Sequence, residues 1–535
     1  MSDQDTLYFH GMDITTGQYL TPPMQMEAFA AVVQNQVQNA QAGQKAAPLA
    51  PAGIIGALPV VPAPTAGPSF DPTKLEEAGW GVIFAQNADP AIYDALRPLL
   101  DLRKSQASRI RPQRYQEFVG PNGWQSTDTA DTFLQRQGAT PGPVDPDQMP
   151  YYLLIVADPL TVTYTCQLNL DIHRGVGRIY FETPQEYASY ARTVAAAESG
   201  GTPLPRRAVV FASAIDQTTQ MSCNELAIPL AKMLKADRPV WQVDSLTADD
   251  ATKARLIQLL SGGDPPALLF TVTHGGCAPC ADPLQLQRQG CLICQGLDVT
   301  KIGTPSYNPA DFYVCGEDIP DEAQLPPMVT FHFACFGAGT PEYDQFVPSD
   351  GPPPAVGSPP SNHQLAPQPF VAYLPQRVLG LTNGGVLATI GHVERAWGFT
   401  FHAERKDDIA TFENTLISIM DGDPVGHAMQ VFARRYSELS TQLAGEEPTQ
   451  GNNLPPVDQD DAAIPSMAEV AAVANAAEQS ESADQAAQPS DSANYIALWT
   501  ASKDARNYVI VGDPAVRLPL GVSGEACVSE TAPTT

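Results

Sequence analysis

The chain has 535 residues, with 30 Lys and Arg against 59 Asp and Glu and a formal charge of −29. At roughly 150 residues per domain this allows two to four domains with a sizeable buried core. The acidic balance excludes nucleic acid as a partner, since phosphate binding needs a basic face, and excludes docking on an anionic membrane.

The opening Met1-Ser-Asp-Gln-Asp5 has neither the basic nor the apolar region of a secretory signal. No apolar run reaches about 18 residues, so no membrane-spanning helix is expected. Nine cysteines spread over this length do not resemble a secreted disulfide scaffold. The expected compartment is a reducing cytoplasm, where thiols pack, bind metal or act as nucleophiles.

Residues 1–34 read as a short, partly ordered segment. Residues 35–70 shift to Ala, Pro, Gln and Gly, with no charge from Ala47 to Pro68, and read as a linker. Buried strands are expected at 80–85, 151–157, 176–181, 207–213, 267–273, 328–333, 385–390 and 508–512. Helices are expected at 90–103, 184–198, 224–234, 407–420 and 424–442. Residues 443–494 hold ten Asp or Glu and no Lys or Arg, and read as a disordered acidic insertion. After it the fold resumes at 495–499, and residues 521–535 form a tail. Strands alternating with helices predict an α/β fold, a mostly parallel sheet flanked by helices. The expected division is a non-catalytic subdomain over 71–205 and a catalytic one over 206–520.

Strand 267–273 runs into His274-Gly275-Gly276, and strand 328–333 into Ala334-Cys335-Phe336-Gly337. In a parallel sheet both fall at the carboxyl edge, where open α/β folds build their sites. An imidazole there raises the thiolate population of a neighbouring Cys, and the thiolate is the nucleophile. The alternative is a packing Cys and a locally bonded His.

A strand ending in His-Gly, followed 61 residues later by one ending in Ala-Cys-x-Gly, resembles the caspase-like cysteine peptidases of clan CD. The chain is more specifically similar to gingipain-type peptidases and bacterial CHAT-domain proteins. Val176–Tyr187, Gly384–Gly391 and the closing Tyr508-Val-Ile-Val-Gly-Asp-Pro-Ala515 share that resemblance, which spans about 150–520. It implies a Cys-His dyad in which Cys335 attacks the scissile carbonyl and His274 protonates the leaving amine. The N–H groups of Gly275 and Cys335 would form the oxyanion hole, no cofactor would be required, and no third acid is named. It also implies protein substrates and regulated proteolysis of a zymogen, often in bacterial defence. An activating protease would then cut the acidic insertion or the linker.

Phe333, two before the nucleophile, would line the first specificity pocket; Arg or Lys is slightly favoured over Asp as the cleavage residue. Arg395 and Trp397, beyond the strand ending near 390, could line the cleft or merely form an ion pair and a core contact. Cys277, Cys280, Cys291 and Cys294 have the spacing of a tetrahedral zinc knuckle; unpaired thiols and a redox disulfide are the other readings. Asp513 is expected to shape a turn and His332 to be a satisfied strand histidine. The rival function is a catalytically idle caspase-like scaffold whose four cysteines hold zinc.

Overall fold

The computed structural model describes residues 6–21, 23–25, 70–140, 142–280, 282–343, 364–398, 406–445 and 489–521. The expected linker, apart from Phe70, most of the acidic insertion (446–488) and the tail beyond 521 lie outside the described residues.

Ten strands form one sheet. In chain order they are β1 (Trp80–Phe84), β2 (Tyr115–Phe118), β3 (Tyr152–Val156), β4 (Gly175–Ile179) and β5 (Arg207–Ala212), then β6 (Gln242–Thr247), β7 (Leu268–Val272), β8 (Val329–Phe333), β9 (Ala388–His392) and β10 (Tyr508–Gly512). Across the sheet the order is β2-β1-β3-β4-β10-β9-β8-β7-β5-β6. Every neighbouring pair is parallel except β9 with β10. The fold is thus α/β, with a mostly parallel sheet and helices packed on it.

The interior strands are buried along their lengths, as expected of parallel strands covered on both faces. The two strands that the apolar runs do not announce, β2 and β6, are the sheet's edges, and most of their side chains stay partly exposed. The helix expected at 90–103 is two, Pro90–Ala95 and Arg97–Ala107, the second opening with Pro98 in its first turn. Residues 217–237 make two α-helices joined through a π-helical turn at Cys223–Ala227. Residues 495–499 lie inside a helix, Pro489–Arg506.

β10 joins the two halves of the sheet, pairing antiparallel with β9 and parallel with β4. A buried ion network backs this seam. Asp513, just past β10, accepts from Arg103 Nε at 2.6 Å and from Trp80 Nε1 at 2.9 Å. The other two Arg103 nitrogens grip both oxygens of Glu198, at 2.6 and 2.7 Å. Asp513 thus does shape its turn, accepting also from the Ala515 N–H, but it is an ion-pair anchor as well.

Strand pairing on both sides of β10 gives a first prediction. A proteolytic cut between residues 446 and 488 should leave the fragments associated, because β10 and the helix before it stay held by the sheet. Size-exclusion chromatography of the nicked protein checks this; separate elution of a fragment carrying β10 would refute it.

Candidate active site

Val272 and Phe333 are register partners at the carboxyl ends of β7 and β8. Two residues further along each chain stand His274 and Cys335, both fully buried. Adjacent parallel strands thus bring the imidazole and the thiol to one edge. Gly275 lies against the Cys335 backbone: a Cβ there would sit 1.8 Å from the Cys335 carbonyl oxygen and 2.7 Å from its nitrogen. Among the described residues the N–H groups of Gly275 and Cys335 donate to no backbone oxygen. Phe336 takes a left-handed φ of 56°, a costly conformation for a bulky residue and one that tends to mark functional turns. The loop around it is tied to the end of β9, the Phe336 N–H donating to Glu394 O at 3.0 Å and the Ala338 N–H to His392 O at 3.0 Å.

Asp216 is a functional candidate that the sequence does not single out. Its Oδ2 lies 2.7 Å from His274 Nε2. His274 Nδ1, at 3.0 Å, accepts the Gly11 N–H, so the ring proton sits on Nε2, facing Asp216. Burial alone would raise the Asp216 carboxyl, but His274 and the donors of Thr219 hold it far below the usual carboxylate range. Asp216 also caps helix Gln217–Ser222 through the Thr219 N–H. As one more Asp before a helix it carries only a capping signal; its approach to His274 is a product of the β5–β7 pairing.

Residues 8–14 lie across this pair. Tyr8 to His10 run antiparallel to Ala396–Gly398: the Gly398 N–H donates to Tyr8 O at 3.0 Å and the His10 N–H to Ala396 O at 3.1 Å. Beyond the site, Met12 and Asp13 pair with Gly276 and Cys277. Between these anchors the His10 carbonyl oxygen touches Cys335 Sγ. The sequence gives one retrospective clue, the aromatic word Tyr8-Phe-His-Gly11 in an otherwise polar beginning.

Trp397 and Phe333 both face this segment. The Trp397 ring meets Phe9 edge-on at 4.7 Å, and Phe333 meets the His10 ring edge-on at 4.9 Å. Arg395 lies 3.8 Å from Glu394, and its charge acts to lower the Cys335 thiol. The Ala396 N–H, 3.2 Å from Sγ, acts the same way. Burial outweighs both and pushes the thiol well above its ordinary value, so it is neutral while the segment covers it. Asp504 holds the 392–397 loop, accepting the Trp397 N–H at 2.9 Å and lying 3.4 Å from His392 Nε2.

Cys277, Cys280, Cys291 and Cys294 are free thiols, and among the described residues no three His, Cys, Asp or Glu converge as metal ligands. Cys291 and Cys294 flank the short strand Leu292–Ile293, which pairs with Tyr313–Val314, and Cys291 packs with Met12 and Tyr313 while Cys294 joins the main core. Cys280 alone is partly exposed. The spacing expected of a zinc knuckle is thus not matched by a gathered ligand set. His332 bonds Thr271 Oγ1 through Nδ1 at 2.8 Å.

No family model matches the chain, and no curated protein matches it. Among solved structures it is similar to the Arg-specific cysteine proteinase gingipain R, at 12% identity and a TM-score of 0.37, covering 85% of this chain and 80% of that one. It is similar as well to the complex of the pro- and mature domains of Porphyromonas gingivalis RgpB, at 11% identity and a TM-score of 0.36, covering 82% and 79%. The Saccharomyces cerevisiae separase–securin complex matches at 9% identity and a TM-score of 0.27, covering 68% of this chain and 16% of that one.

Proposed function

We propose that the chain is a caspase-like cysteine endopeptidase with Cys335 as nucleophile, His274 as acid and base, and Asp216 as the group that positions His274. One observation carries this reading: an extended peptide lies across the two groups, its carbonyl oxygen against Cys335 Sγ and its next N–H on His274 Nδ1. The site thus accommodates an extended peptide backbone between the thiol and the imidazole, as a peptidase site must.

In this mechanism Sγ adds to the carbonyl carbon, and the thiol proton passes through His274 Nδ1 to the leaving nitrogen. Asp216 stabilises the imidazolium formed on the way. The N–H groups of Gly275 and Cys335 serve as oxyanion donors, each such donor typically contributing about 2.7–4 kcal/mol to the barrier. Water then hydrolyses the thioester, with His274 as its base. Phe333, Trp397 and the 396–398 backbone form the cleft, and Arg395 adds positive charge beside the thiol. Protein substrates follow from the backbone pairing available along 396–398 and 276–277. The buried, neutral thiol supports a zymogen, and the eight free cysteines of the described residues support a reducing compartment such as cytoplasm. Regulated proteolysis in bacterial defence is the setting that the sequence resemblance implies.

The test is a random peptide library incubated with wild-type protein and with Cys335→Ala, before and after limited proteolysis, and read by mass spectrometry. Cleavage by the wild type alone is expected. Equal patterns from the two proteins, or silence from both after proteolysis, would refute the peptidase and favour the idle scaffold.

A further inference from the structure

We propose that Cys291 and Cys315 form a redox-dependent disulfide, open under reducing conditions and closed by a small-molecule disulfide, that braces the segment carrying His274 and Gly275. The proposal concerns a modification of the scaffold and stands whether or not the chain is a peptidase.

The pairing follows from the register of a short antiparallel ladder. Leu292 is opposite Val314 and Ile293 opposite Tyr313, so one residue further out Cys291 stands opposite Cys315. Cys315 keeps an extended backbone, at φ −121° and ψ 178°. The Cys294 N–H donates to Phe312 O at 2.7 Å. The Ile293 N–H and the Cys291 carbonyl turn the other way, to His274 O at 3.1 Å and the Gly276 N–H at 2.8 Å. Cys291 and Cys315 are therefore a non-hydrogen-bonded pair, the class in which antiparallel strands approach most closely, about 4.5 Å between Cα atoms. That spacing lies within the range a disulfide spans, about 4.4–6.8 Å. Alternation selects the partner. Cys291, Ile293, Tyr313 and Cys315 face one small core, while Leu292, Cys294 and Val314 face the main one. Cys294 is thus turned away, although its spacing makes it the obvious mate. After burial, a negative charge on Cys315 is the largest influence raising the Cys291 thiol, as close neighbours require.

The Cys291 side of this ladder is joined to the site. Leu292 bridges Gly275, between the two bonds that Ile293 and Cys291 make to His274 and Gly276. The Cys291 sulfur packs against Gly276, where a Cβ would stand 2.3 Å from it, and Cys315 Sγ donates to Asp318 Oδ2 at 3.3 Å. Closing the disulfide turns both sulfurs from these neighbours toward each other. Asp318 then keeps the Cys315 N–H at 2.9 Å and its ion pair with Lys253, so no buried charge is stranded. The bond closes a loop of about 25 residues and ties the strand behind His274 to Tyr313–Val314. Both thiols are covered, at 1% and 5% exposure. Burial, with the Asp318 charge second, pushes Cys315 up to about 11. Exchange is therefore slow, and the less covered Cys315 reacts first.

The oxidant balances the step. The Cys315 thiolate attacks one sulfur of a small disulfide such as oxidised glutathione, releasing one small thiol and leaving a mixed disulfide. The Cys291 thiolate then attacks the Cys315 sulfur and expels the second small thiol. Two protein thiols lose two protons and two electrons, and the small disulfide gains them.

The test incubates the full chain with reduced or oxidised glutathione, both as folded protein and during refolding from denaturant. Thiols are then alkylated in denaturant and counted by intact mass, glutathione adducts being scored as open cysteines. All nine cysteines of the sequence should be open in the reduced sample; two should be lost in the oxidised one, with unreduced peptide mapping linking Cys291 to Cys315. Cys294→Ser should still lose two and Cys315→Ser none, and the wild-type map does not depend on how either variant folds. In the oxidised folded chain, hydrogen exchange at the Gly276 and Ile293 amides should slow at least roughly 10-fold, because closing a loop of this length opposes local opening. Nine open cysteines in both arms, or a link from Cys291 to Cys294, overturns the disulfide. A Cys291–Cys315 link that leaves amide exchange unchanged overturns the brace.

Discussion

Asp216→Asn is expected to lower kcat by about 10³–10⁴ while leaving KM nearly unchanged, and to lose the stability that the ionised carboxylate contributes at neutral pH. The magnitude follows from the role of a buried carboxylate on a catalytic imidazole, whose replacement by an amide costs about 10⁴ in the serine-protease triad. Here the carboxylate holds the Nε2–H tautomer of His274 across 2.7 Å, which leaves Nδ1 free to handle the substrate's nitrogen. Asn can still accept the Thr219 N–H that Asp216 Oδ1 now takes at 2.9 Å, so the helix cap survives. Asp216→Ala removes the cap as well and should lose a further ~1 kcal/mol of stability. The carboxyl is held far below its ordinary range, mainly by His274 against the opposing effect of burial. A depressed acid contributes stability at pH above its unfolded value of about 3.9 and loses it only as pH falls through the lowered folded value. Wild-type activity should therefore show no acid limb from Asp216 near pH 4. Steady-state kinetics against pH, with denaturant unfolding alongside, checks all three statements. A rise in KM with kcat unchanged would make Asp216 a structural residue only.

The second large effect concerns stability. Arg103→Ala should cost about 3–5 kcal/mol, the usual loss when one partner of a buried ion pair is removed and the other is left uncompensated. Arg103 and Asp513 have side-chain exposures of 1% and 0%, so solvent cannot replace the lost guanidinium. Trp80 would retain its bond to Asp513, but Glu198 would keep only the Gln106 amide at 2.9 Å. The pH dependence should change sign as well. Burial raises the Glu198 carboxyl, and the Arg103 charge more than reverses this, so its folded value lies below the ordinary one. In wild type that contribution is complete above the unfolded value of about 4.3 and is lost as pH falls below it. Without Arg103, burial prevails, the folded value rises above the unfolded one, and stability should fall as pH climbs through this window. Guanidinium unfolding at several pH values checks the magnitude and the slope. A loss under about 1 kcal/mol would show the network to be dispensable.

Much of the sheet could be read from composition alone, because interior parallel strands are continuous apolar runs such as Tyr152–Val156 and Leu268–Val272. The edge strands could not: Gln242–Thr247 mixes polar and apolar residues on both faces and keeps most of its side chains in partial contact with water. Tyr495–Trp499 has the apolar content of a strand, but belongs to a helix that packs on the one at Gln430–Gly445. At the site, His274 and Cys335 were legible because each stands just past a strand with a glycine within the next two residues. Asp216 and His10 were not, since each gains its place from contacts spanning 58 residues or more in sequence. The paired Cys-x-x-Cys words look like metal ligands by spacing, yet alternation along Leu292–Ile293 sends their thiols into different cores.

The place of β10 also bears on the order in which the chain acquires its structure. It is the last strand described, yet it stands inside the sheet, between β4 and β9. Until it emerges, two strands that are buried along their lengths in the finished fold present bare edges to one another, and such edges invite pairing with other chains. At a synthesis rate of about 5–20 residues per second, the 120 residues from His392 to Gly512 hold that state for roughly 6–24 s. Each molecule therefore passes through a nascent form that is two half-sheets waiting for one strand. A chaperone that shields sheet edges would have its greatest effect in that interval, and a ribosome stalled before Tyr508 would release a chain with nowhere to complete its centre.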